Sequence, residues 1–130
     1  MAHYLDTSAA VKLVMYEEET AALAAWIQQR PDEIVSSDLV RTELIRATRR
    51  IDTGLVPRSR AVLDSLTLLT LPAAVFERAA LLDPVLVRSL DALHLAAALE
   101  LGDDLESLVT YDGRQAAAAE ALGIAVSAPT

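Results

Sequence analysis

Residues 3–13 read HYLDTSAAVKL, and this stretch decides the fold. The run 2–5 reads as a short strand ending at Asp6; Thr7 or Ser8 then offers a capping hydroxyl, and helical spacing follows from about Ala9 to Met15. A strand that passes through an acid directly into a helix is the unit of an open α/β sheet. Three other stretches carry an isolated acid in a similarly apolar setting: Glu43 in LVRTELIRA (39–47), Asp91 in VRSLDALHLAAA (87–98) and Asp112 in SLVTYDGRQ (107–115). Each acid is expected at or just past the carboxyl end of a strand, or in the following helix, where such a sheet gathers its ligands.

Outward from that unit the chain alternates. A second helix is expected over about Glu18 to Gln29, with Leu23, Trp26 and Ile27 inward and a stop before Pro31. Residues 34–37 form a second strand, which runs into a helix from about Leu39 to Thr53 closed by Gly54; Pro57 opens another helix to about Leu66. Residues 67–71 read as a third strand, and a helix of about Ala73 to Leu82 follows. Ser89 caps a regular helix reaching Leu101 and Gly102, residues 107–110 make a fourth strand, Asp112 to Leu122 a last helix, and 124–126 a short fifth strand. No repeat, linker or low-complexity tract interrupts the pattern. The expected architecture is one three-layer α/β/α domain over 1–130, with a mostly parallel sheet of about five short strands.

Composition sets the limits. The chain has 130 residues, enough to bury a core without staples, and 53% of them are apolar but only 4% aromatic. The core is therefore built from Ala, Leu and Val. With no cysteine, disulfides, zinc thiolate clusters and thiol catalysis are excluded. No apolar run approaches the roughly 18 residues that span a bilayer, and no basic-then-apolar leader opens the chain, so a soluble cytoplasmic protein without a membrane partner is expected.

A net charge of −8 argues against a nucleic-acid partner until its distribution is considered. Between residues 41 and 60 stand Arg41, Arg46, Arg49, Arg50, Arg58 and Arg60 against Glu43 and Asp52, a local balance of +4 that leaves −12 elsewhere. The plain alternative is a solvated helix face with intrahelical pairs such as Glu43 to Arg46. Val40, Leu44, Ala47 and Ile51 recur as one helical stripe, and at about 100° per residue Glu43 lies about 60° from its centre. That is the border between core and solvent, a position suited to a cleft.

Each acid alone has an ordinary explanation. Asp6 shapes a turn, Asp91 sits where a helix dipole favours a negative charge, and Asp112 caps a helix. On one rim together they would raise one another's pKa unless a cation sat among them. All-oxygen sites suit Mg²⁺ or Mn²⁺, and two such ions about 3.5–4 Å apart serve in-line displacement at phosphorus. His3 and His94 lack zinc spacing, and His94, one turn beyond Asp91, reads as a packing or surface residue.

The order and spacing of LDTSA with VKL, SSDLVRTELIRA, RSLDALHLAAAL and LVTYD resemble, along essentially the whole chain, a PIN-domain ribonuclease of the VapC type, the toxin half of a VapBC toxin–antitoxin pair. The resemblance implies Asp6, Glu43, Asp91 and Asp112 as catalytic acids, with Asp6, Asp91 and Asp112 holding Mg²⁺ and Glu43 completing the shell or orienting water. It implies RNA hydrolysis leaving a 5′-phosphate and a 3′-hydroxyl, a homodimer, and neutralisation by a VapB-type antitoxin. The hydroxyls of Thr7 or Ser8 and of Thr110 would contact metal or substrate, or serve as cap and strand residues. Arg46, Arg49 and Arg50 are the candidates for RNA phosphates, with Arg88 beside Asp91. Trp26 would line an antitoxin groove or belong to the core.

Two rivals keep the metal and change the chemistry. A response-regulator-like domain needs a late lysine, and the only lysine is Lys12; a haloacid-dehalogenase-like site wants an acid two residues after the first, where Ser8 stands. A degenerate PIN fold that only binds protein is the non-enzymatic alternative.

Overall fold

The computed structural model describes residues 1–130 throughout. In chain order the elements are β1 (Ala2–Leu5), α1 (Thr7–Val14), α2 (Thr20–Gln28), β2 (Ile34–Ser37), α3 (Leu39–Arg49), α4 (Val56–Ser65), β3 (Thr67–Leu69), α5 (Ala73–Ala80), α6 (Ser89–Leu99), β4 (Leu105–Val109), α7 (Gly113–Ala121) and β5 (Val126–Ser127). Short 3₁₀ turns at Thr53–Leu55 and Gly102–Asp104 precede α4 and β4.

The five strands form one sheet in the order β3-β2-β1-β4-β5, and every pairing is parallel. Alternation along the strands divides the core. Tyr4, Val35 and Leu108 pack with Val75, Leu95 and Ala119 of α5, α6 and α7. Their neighbours Leu5, Ile34 and Val109 face the opposite side, with Ala9 and Leu23 of α1 and α2. A third cluster of Ala10, Val14, Val40, Leu44 and Leu63 joins α1, α3 and α4. Helices thus cover both faces of the sheet, as parallel pairing requires, and the layers are α/β/α.

Chain order moves from β1 outward through β2 to β3, then returns to the other side of β1 with β4. The crevice between β1 and β4 is therefore the switch point of the sheet, where ligands of such folds bind. Leu5 is in register with Val109, so Asp6 and Thr110 leave the sheet side by side. Helices α1, α3, α6 and α7 all begin at this carboxyl edge, which brings the early residues of each onto one rim. Buried Ala96, Ala97 and Ala98 let α6 lie close on the sheet.

Several boundaries differ from the sequence expectation for local physical reasons. Helix α1 starts at Thr7 because Asp6 is itself the cap, its Oδ1 accepting from the Ala9 amide, so neither Thr7 nor Ser8 has that role. Likewise α6 has Arg88 in the capping position without a side-chain bond, and Ser89 is its first helical residue. Helix α3 ends at Arg49 instead of Thr53. The hydroxyl of buried Thr48 bonds back to the Leu44 carbonyl and to Ser59 Oγ of α4, and Asp52 then caps the 3₁₀ turn through the Gly54 amide. Gly54 consequently closes no helix. Ile51, placed in the buried stripe by periodicity, is 62% exposed, and Thr48 takes the inner position. Gly102 and Gly123 adopt φ of 57° and 79° beyond the ends of α6 and α7, a conformation that L side chains avoid. No helix is long and apolar enough to cross a membrane.

Candidate active site

Asp6 is the buried centre of the rim, 5% exposed. Its Oδ1 accepts from Ser8 Oγ at 2.6 Å and from the Ala9 amide at 3.1 Å, and its Oδ2 accepts a short bond from Thr110 Oγ1. A carboxylate offers about four lone-pair sites, so one on Oδ2 carries no hydrogen bond. Burial pushes the Asp6 carboxyl above its ordinary range, against the lowering effect of the Ser8 and Thr110 hydroxyls. Ser8 also accepts from the Tyr111 amide at 2.9 Å, and Thr110 from the Asp112 amide at 3.1 Å. These two hydroxyls tie the ends of β1 and β4 together around one carboxylate; Thr110, only 2% exposed, orients Asp6 and has no open face for substrate.

Glu43 lies one turn into α3, its side chain 21% exposed, at the core–solvent border where the stripe places it. Its Oε1 accepts from Thr7 Oγ1 at 3.0 Å and lies 2.7 Å from His94 Nε2. Burial works to raise the Glu43 carboxyl, but the bond and charge of His94, with Thr7, outweigh it and hold the group below its usual value. Glu43 is therefore ionised at neutral pH. Because a carboxylate only accepts, the Nε2 proton of His94 faces it. The alternative Glu43–Arg46 pair does not form: Glu43 pairs with His94, and Arg46, Arg49 and Arg50 make no ion pair at all.

His94 is the residue that sequence reading assigned least to this site. It is 2% exposed, so it is no surface residue, and Nδ1 lies 2.8 Å from the Tyr4 hydroxyl while Nε2 faces Glu43 and Thr7. Tyr4, fully buried in β1, donates in turn to Ser37 Oγ of β2 at 2.7 Å. A continuous polar chain thus runs from the sheet through His94 to Glu43. The only sequence signal for it was the one-turn spacing that puts His94 on the same side of α6 as Asp91.

Asp91 is half-buried in the first turn of α6. Burial, then the negative charge of Asp112, and after it those of Asp6 and Glu43, push its carboxyl up, while His94 works in the other direction. That mutual repulsion places all four sequence-identified acids within one electrostatic neighbourhood. Asp112 is exposed and its Oδ1 accepts from the Arg114 amide at 2.9 Å, so it does cap α7. Its position on the same rim leaves it able to serve both roles.

No three acidic or histidine side chains approach closely enough, as they stand, to share an ion. The donor chemistry nevertheless fits a hard divalent cation. The groups are oxygen-only, Asp6 retains a lone-pair site, and the repulsion at Asp91 is of the kind a cation relieves. The arginines divide between two flanks. Arg46 and Arg50 line a groove that includes Thr7 and Glu43, and Arg49 continues that basic surface toward Thr53. Arg88 and Arg114 line a second concavity with Asp91, Asp112 and the buried Gln115, whose Nε2 donates to the Asp91 carbonyl. Trp26 stays out of the site: it packs edge-on to His3, with the Arg30 guanidinium 4.1 Å from its ring centre.

Comparison with known proteins gives the family. The family model described as PIN domain matches residues 3–121. The crystal structure of Mycobacterium tuberculosis VapC20, described as a sarcin-ricin loop cleaving toxin, superposes with a TM-score of 0.79. It covers 98% of this chain and all of that one at 17% identity, a likeness of fold. Ribonuclease VapC46 of Mycobacterium tuberculosis is 45% identical over 129 residues, 98% of this chain and 97% of that protein. Ribonuclease VapC35 of the same organism is 43% identical over 129 residues, 97% of this chain and 96% of its own length. The chain belongs to the PIN-domain family, within its VapC ribonuclease branch.

Proposed function

We propose that the protein is a metal-dependent endoribonuclease toxin that hydrolyses RNA phosphodiester bonds. The observation that carries this reading is the similarity to VapC ribonucleases along nearly the whole chain, and the acids at the carboxyl edge support it: Asp6 leaves β1 bonded to Thr110, and Glu43 bonds to Thr7 and His94 of neighbouring helices. Asp6, Asp91 and Asp112 would hold Mg²⁺ or Mn²⁺. When bound, such an ion lowers the pKa of water and offsets charge developing on the phosphate.

The chain's own residues supply the rest. Ser8 and Thr110 fix the direction of the Asp6 carboxylate, and His94 and Thr7 fix Glu43 through Oε1. Glu43 lines the groove with no hydrogen bond to Oε2, an ionised acceptor suited to orient the attacking water and draw off its proton. Arg46, Arg49, Arg50 and Arg88 are exposed and unpaired, and they supply local positive charge for RNA phosphates in a protein of net charge −8. In-line attack on phosphorus with departure of the 3′-oxygen leaves a 5′-phosphate and a 3′-hydroxyl.

The similarity to VapC proteins supports a cognate VapB-type antitoxin as partner, a homodimer, and action in the cytoplasm. Leu81, Val85 and Leu86, 86%, 83% and 94% exposed, offer apolar surface for such protein contacts, and Leu86 borders the concavity that holds Asp91 and Asp112. The decisive experiment incubates the purified protein with total RNA and Mg²⁺ or Mn²⁺. Cleavage is expected, with loss on adding EDTA and in Asp6→Asn or Asp91→Asn variants that still fold. Unchanged cleavage in both variants would sink the site; no cleavage of any RNA would leave a protein-binding module.

A further inference from the structure

The groove beside Glu43 has a composition that phosphate binding alone does not explain. It measures about 710 Å³ and carries charge where Thr7 and Glu43 give way to Arg46 and Arg50 one and two turns along α3. The same groove is lined by the apolar side chains of Phe76 of α5 and Leu90 of α6, each 49% exposed, and by Leu71. Phe76 is the only phenylalanine of the chain, and its ring stands half in water on a helix whose inward residue is Val75. Core packing does not account for that placement. An exposed aromatic ring that shares a groove with two unpaired guanidinium groups is the pattern that binds single-stranded nucleic acid, the ring stacking on a base while arginines hold the phosphates beside it.

We infer that Phe76 and Leu90, together with Arg46 and Arg50, form a nucleotide subsite that holds an unpaired base of single-stranded RNA next to the bond cut at Asp6. The inference rests on the ribonuclease reading and deepens it. Charge favours RNA over a protein segment as occupant: the groove's two carboxylates are already paired, Asp38 with Arg41 and Glu43 with His94, while its guanidinium groups, Arg46 and Arg50, are left free for phosphates. Continuity favours it as well, since Thr7 and Glu43 belong to the same groove. The subsite selects for unpaired substrate: a base within a duplex has no exposed face for Phe76.

Binding measured without turnover separates this subsite from the chemistry. The probe is a fluorescein-labelled ten-nucleotide single-stranded RNA of mixed sequence, titrated by anisotropy in EDTA, with a duplex of the same length as comparison. Phe76→Leu, which keeps the apolar contact, and Phe76→Ala are expected to weaken single-strand binding roughly tenfold, with Phe76→Tyr near wild type and duplex binding unchanged. Arg50→Ala is expected to weaken binding and to reduce the slope of log K against log salt by about 0.7. Wild-type affinity in both Phe76→Leu and Phe76→Ala overturns the subsite and leaves the groove to a protein segment. Equal losses on single strand and duplex also overturn it. If the wild type cleaves no RNA yet the Phe76 series behaves as expected, the subsite stands and the nuclease reading falls.

Discussion

Tyr4→Phe tests the polar chain behind Glu43 with the removal of one oxygen atom. That oxygen is fully buried and bonds to Ser37 Oγ at 2.7 Å and to His94 Nδ1 at 2.8 Å. Ser37 is itself fully buried and makes no other side-chain bond, so its hydroxyl loses its partner, and Nδ1 of His94 is left bare. Two buried bonds at about 1 kcal/mol each, with orphaned groups costing about 1–3 kcal/mol and the gain from a less polar ring offsetting part, give a net loss of about 2 kcal/mol. For a chain of this size that is a fall in melting temperature of roughly 6–10 °C. Adding Ser37→Ala removes one orphan and should recover about 1 kcal/mol, a coupling that marks contact between the two sites. Thermal and urea denaturation in EDTA read both effects, and the cleavage rate of Tyr4→Phe should fall with little change in KM because Tyr4 touches no solvent. A Tyr4→Phe variant within about 1 °C of wild type, or strict additivity with Ser37→Ala, would refute the chain from sheet to Glu43.

The acids make three further predictions. Asp91 has its carboxyl raised by burial and by Asp112, so the folded state keeps this proton longer than the unfolded chain. Stability therefore falls as pH rises from about 3.8 through the raised value, and the whole penalty is present at neutral pH. Metal-free Asp91→Asn should melt above wild type at neutral pH, with the gain vanishing below about pH 3.8; a lower melting point at neutral pH contradicts the repulsion. Glu43 has the opposite sign: held low by His94, it contributes stability above about pH 4.5 that disappears as pH falls through its folded value. The melting difference between wild type and Glu43→Gln should shrink toward zero in acid, and a constant difference would exclude the His94 pairing as its source. Mg²⁺ should raise the wild-type melting temperature in proportion to the logarithm of its concentration above the Kd, about 2.7 kcal/mol at a hundredfold excess over Kd. Asp6→Asn should abolish that rise, and an equal rise in the variant would place the cation elsewhere.

Much of the fold was legible because it depends on short-range pattern. Ile34 to Ser37 is a strand at its expected bounds, and Asp6, Glu43 and Asp112 follow strands β1, β2 and β4 as expected, whereas Asp91 lies in α6, which follows α5 and not a strand. What escaped was set by partners distant in the chain. Thr7 and Ser8 looked like caps because they are hydroxyls in the right place, but Asp6 outcompetes them once the β1–β4 register delivers Thr110 to its second oxygen. Ile51 fitted the helical stripe until the bond of Thr48 to Ser59 tied the end of α3 to α4.

By itself, then, the sequence determined the strands, most helix starts and the candidate carboxylates, because strand alternation, helix starts and chain order are local properties that a parallel sheet converts into one carboxyl edge. Only the tertiary structure decided what each carboxylate touches. Glu43 meets His94 across 51 positions, and Tyr4 meets the same ring across 90. Those meetings follow from how closely an alanine-rich α6 lies on the sheet. Phe76 lines one groove with Arg46 and Arg50 for the same kind of reason: a groove belongs to the space between elements rather than to any one of them.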